Sequence, residues 1–76
     1  METSDMCLAA YLTYNNFIVE SIKIGDATKN QKVFVFGRKT GTKIEDFVMD
    51  FNNKRGQVEP KRFFAEIRDL KTMIYR

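Results

Sequence analysis

Seventy-six residues, 43% of them hydrophobic, and a net charge of +3 are the marks of one small folded domain, with a core near the lower limit for independent stability. One cysteine and no histidine exclude an internal disulfide and leave too few soft ligands for a structural zinc site. No stretch approaches the ~20 apolar residues of a membrane span, and Glu2 and Asp5 stand where a secretory signal would carry basic residues, so the expected setting is the cytoplasm.

In chain order, Thr3-Ser4-Asp5 reads as a helix start, with Ser4 as the N-cap and Asp5 favourably placed at the positive end of the dipole. The helix that follows, Met6 to Tyr14, is apolar nearly all round (Leu8, Ala9, Ala10, Tyr11 and Leu12 among others), which predicts burial on more than one side. Cys7 lies within it and reads as a packed, inert thiol. Asn15-Asn16 breaks the helix. Phe17 to Ile24 and Lys32 to Phe36 are β-branched and aromatic runs that predict two strands. The polar connection from Gly25 to Gln31 makes them an antiparallel hairpin with a long tip.

Gly37 to Gly41 is a basic turn, and Thr42-Lys43-Ile44-Glu45 fits a T-x-x-E capping box. Behind it Ile44, Phe47, Val48 and Phe51 fall on one helical stripe. Asn52 to Gly56 ends this helix, Gly56 or an asparagine supplying the left-handed residue. Pro60 suits the first turn of a third helix, and Val58 and Phe63 stand at the positions of a hydrophobic staple. Its buried stripe reads as Phe63, Phe64, Ile67, Leu70 and Ile74, with Lys71 inside the apolar arc. The expected fold is a single α+β domain over residues 1–76, of order α-β-β-α-α, the hairpin packed against helices.

A two-stranded sheet has one face to spare, and here that face is apolar: it carries either Val33 and Val35 or Phe34 and Phe36. Together with the first helix this predicts surplus apolar surface, with Leu8, Tyr11, Val33 and Val35 as its contact residues and a homodimer or a docked partner as its use. Catalytic groups are missing: without histidine the commonest general base is absent, and no residue is assigned a catalytic role. Glu45, Asp46 and Asp50 lie opposite the apolar stripe and read as a solvated face rather than a metal site, and no cofactor is expected. The turn Gly37 to Lys43 fails the Walker A spacing, yet a basic turn entering a helix N-terminus favours an anion. Arg38, Lys39, Thr42 and Lys43 are its candidate phosphate contacts, joined by the second basic cluster Lys54, Arg55, Lys61 and Arg62. Arg62 is placed to pair with Glu66, and Tyr11, Tyr14 and Tyr75 are candidates for stacking on bases.

The whole chain resembles a family of small uncharacterised domains of bacteriophages and prophages. The likeness runs through Thr3-Ser4-Asp5, Leu8-Ala9-Ala10-Tyr11-Leu12, Val33-Phe34-Val35-Phe36, Val58-Glu59-Pro60, Arg68-Asp69-Leu70-Lys71 and Ile74-Tyr75. These are mainly core and cap positions, so the resemblance implies a fold and a phage-encoded protein in the host cytoplasm, and it implies no site residues. Two functions are expected: a non-enzymatic binder of nucleic-acid phosphates, or a protein-interaction module using the first helix and hairpin.

Overall fold

The computed structural model describes residues 1–25, 31–37 and 43–75. Its elements are β1 (Glu2–Thr3), α1 (Met6–Tyr14), β2 (Val19–Ile24), β3 (Lys32–Phe36), α2 (Ile44–Asn52) and α3 (Pro60–Ile74). The expected α+β fold is present, with one addition. Residues Glu2 and Thr3 form a third strand on the far edge of β3, giving an antiparallel sheet of order β1-β3-β2. Two residues are too few to show a period. The strand exists because β3 offers an unpaired edge, along which the Phe36 N–H donates to the Met1 carbonyl at 2.8 Å.

The hairpin is antiparallel, and the Gly25 N–H donates to the Gln31 carbonyl at 2.9 Å. Its first strand starts at Val19 rather than Phe17. A bulge at Glu20, between Val19 and Ser21, shifts the alternation so that Val19 pairs with Phe36 and Ile22 with Phe34 on the inner face. Phe34 and Phe36 are buried there. Val33 and Val35 take the outer face and are half-buried. The Lys23 Nζ reaches Glu2 Oε1 at 2.7 Å from strands on either side of β3, so an ion pair spans the outer face over those valines.

Helix α1 is the hub of the fold. It packs against α2, α3 and β1, and its five consecutive residues Leu8 to Leu12 are all buried, Ala9 and Ala10 at 0% exposure. Two alanines side by side let neighbouring backbones approach closely. Leu8 and Tyr11, expected at a protein interface, are therefore used in the chain's own core. Tyr11 lies against Phe51 and Phe47 with centroids 5.7 and 6.4 Å apart, and Phe17 meets Phe47 edge-on at 5.2 Å. A Cβ built on Gly56 would fall 2.7 Å from the Tyr11 ring, so the loop after α2 needs glycine there for its close approach.

The helix ends explain themselves locally. Asp5, not Ser4, caps α1: its Oδ1 accepts from the Cys7 and Leu8 N–H groups at 2.9 and 3.1 Å. Ser4 instead accepts from the Gln31 side-chain amide at 2.9 Å. Cys7, in that first turn, is exposed rather than packed, since the buried run begins only at Leu8. At the other end Asn16 is left-handed (φ 71°), with the Phe17 N–H bonded to the Leu12 carbonyl and the Asn16 N–H to Thr13. This is a Schellman motif whose apolar clasp, Phe17 on Leu12, is buried. Helix α2 ends the same way, but Lys54 (φ 60°) holds the left-handed position that glycine or asparagine was expected to fill. The N-cap of α2 is Lys43, without a side-chain cap bond, so the helix begins one residue later than the capping box implies. Thr42 lies outside the described residues.

Candidate functional site

The first turn of α3 is tied to the last turn of α1. Glu59 is the N-cap, its Oε2 accepting from the Arg62 N–H at 2.8 Å, and Pro60 occupies the first position, where no N–H is needed. The Glu59 N–H donates to the Tyr14 hydroxyl at 2.9 Å. The Arg62 guanidinium lies 4.4 Å over the Tyr14 ring, a cation–π contact in place of the expected pairing with Glu66. Further along, Phe63, Ile67, Leu70 and Ile74 turn to the core at spacings of 4, 3 and 4. These contacts set the rotation of α3 about its axis.

With that rotation, a second stripe faces outward. Lys61, Phe64, Arg68 and Lys71, continued by Tyr75 at the C-cap, recur at spacings of 3, 4, 3 and 4 and are all exposed. Phe64 is 72% and Tyr75 81% exposed. Two shallow depressions run along the stripe: one lined by Pro60, Lys61, Phe64, Ala65 and Arg68, the other by Arg68, Lys71, Thr72 and Tyr75. Arg68 borders both. At 100° per residue the acids of the helix, Glu66 and Asp69, fall on the flank shared with Arg62. Among the described residues no carboxylate forms a salt bridge with Lys61, Arg68 or Lys71. Among the residues of α3 the face is thus cationic, aromatic and free of acids over ~21 Å of helix.

Of the residues expected to bind phosphate, Lys43, Lys54, Arg55, Lys61 and Arg62 are among the described ones. Arg38, Lys39 and Thr42 lie outside the described residues. Lys43 and Lys54, which belong to the two separate basic clusters, stand at opposite ends of α2, ~15 Å apart along its axis. Arg55 is exposed, and its N–H closes the α2 terminus on the Asp50 carbonyl at 2.8 Å. Lys61 is on the α3 stripe, and Arg62 is turned onto Tyr14. Of the three tyrosines only Tyr75 is free to stack: Tyr11 is buried and Tyr14 lies under Arg62. Phe64 and Lys71, assigned to the core arc from sequence, stand on the outward face. The sequence carried part of the signal, since Phe63, Ile67, Leu70 and Ile74 make a complete stripe without Phe64, but both phenylalanines border the apolar arc and the contacts with Tyr14 decide which one turns inward.

Fold and surface together define a small α+β domain that presents one basic-aromatic helix face. The chain belongs to the family described as a domain of unknown function (DUF5659), whose profile matches residues 1–76. No curated protein and no solved structure matches it. No helix among the described residues is long and apolar enough to cross a membrane.

Proposed function

We propose that this chain is a non-enzymatic binding protein that holds nucleic acid on the outward face of α3, acting in the cytoplasm of a phage host. The observation that carries the reading is the acid-free stripe on which Lys61, Arg68 and Lys71 alternate with two exposed rings. Cations neutralise phosphates, and flat rings offer the π-faces that bases stack on. The absence of histidine from the sequence supports binding over catalysis. An intracellular setting is supported by the single thiol, Cys7, unpaired and exposed, and a phage origin by the likeness to phage and prophage domains.

The test is fluorescence anisotropy with a labelled oligonucleotide across a salt series. Three phosphate contacts give a log–log salt slope of about −2 to −3. Arg68→Glu, at an exposed position, is expected to weaken binding at least tenfold. No binding at ~50 mM salt, or binding that ignores salt, would overturn the reading. The rival is an acidic protein partner, for which Phe64 and Tyr75 would be the buried anchors. Co-purification from a host lysate separates the two: a protein retained after nuclease treatment and lost in Phe64→Ala supports the rival.

A further inference from the structure

We infer that the nucleic acid bound by α3 is single-stranded, with bases stacked on Phe64 and Tyr75 and phosphates along Lys61, Arg68 and Lys71; this rests on the reading of α3 as a nucleic-acid surface. The two rings stand on the exposed arc, 72% and 81% accessible among the described residues. A ring so placed reaches the face of a base only if that base is unstacked. In a duplex both faces are covered by neighbouring bases, and a helix inserted in the major groove meets base edges instead. Arginine can read guanine edges there, but the arc holds no asparagine or glutamine to read adenine, and the two rings would contact little in a groove.

Spacing favours a strand laid along the helix. Phe64 and Tyr75 are eleven residues apart, ~16 Å of axis, with Arg68 and Lys71 between them. Cations between stacking platforms match a strand whose phosphates run continuously and whose bases splay toward the rings. The same charge pattern opposes self-pairing of α3, because it would bring Lys61, Arg68 and Lys71 against their own kind without an intervening acid.

Binding of a ~12-nucleotide single strand is compared with the duplex of the same sequence at one salt concentration. The chain has three tyrosines and no tryptophan, and only Tyr75 is free to meet a base, so quenching of tyrosine emission reports stacking at that position. The expected result is at least tenfold preference for the single strand, with quenching by it alone. Phe64→Ala and Tyr75→Ala each weaken single-strand binding about tenfold and leave duplex binding unchanged. Tyr75→Phe preserves affinity while removing most of the quenching. Circular dichroism checks that each variant is folded. Equal affinity for both forms, with the alanine variants inert and Arg68→Glu still weakening each, overturns the single-strand inference and leaves the phosphate-binding reading standing. No binding of either form overturns both.

Discussion

Lys54 holds a φ of 60° because the α2 terminus needs a left-handed residue to bring the Arg55 and Lys54 N–H groups onto the Asp50 and Phe51 carbonyls. A side chain with a Cβ is strained there, and glycine is not. Lys54→Gly is expected to raise stability by about 0.5–1 kcal/mol, a Tm gain of roughly 4 °C in a domain this small, measured by thermal melting. A fall in Tm would mean that the lysine side chain makes a contact worth more than the strain. At the matching place after α1, Asn16 already tolerates the conformation, as its short polar side chain allows. Sequence located both helix ends but could not say which residue in Asn52 to Gly56 would be left-handed. Gly56 was claimed by another need, its approach to Tyr11.

Helix α3 has two faces with different work, and they are separable by mutation. Leu70 is fully buried, in a core shared with α1 and the sheet, so Leu70→Ala is expected to cost about 2–5 kcal/mol in urea unfolding. Phe64, one residue from the half-buried Phe63, is expected to lose less than ~0.5 kcal/mol on truncation to alanine. Equal losses at the two positions would place Phe64 in the core and remove it from the binding face. Amphipathic periodicity located this helix and its staple. It could not choose between adjacent phenylalanines, because that choice depends on the rotation imposed by Arg62 on Tyr14 and Glu59 on the Tyr14 hydroxyl.

Enclosure of α1 changes what the molecule as a whole offers to partners. The apolar surplus that suggested a homodimer was mostly α1, and α1 lies inside, between the sheet and the other two helices. The outer sheet face still offers Val33 and Val35, half-buried and spanned by the Lys23–Glu2 pair, and Ile18, Ile24 and Met49 stand exposed elsewhere. Sedimentation at tens of micromolar is therefore expected to show a monomer. A dimer that Val33→Lys dissolves would instead make the outer sheet face an interface.

Sequence by itself determined the α+β class, the hairpin, the last two helices and the absence of a histidine-based site, because periodicity, cap chemistry and composition are local properties. Tertiary structure decided three things that are not local. It placed β1 on an edge that exists only once β3 is formed, enclosed α1 so that Leu8 and Tyr11 were no longer free for partners, and turned α3 so that Phe64 and Lys71 joined Lys61, Arg68 and Tyr75 on one outward face. Each depends on contacts between residues far apart in the chain, and no window of neighbouring residues contains them.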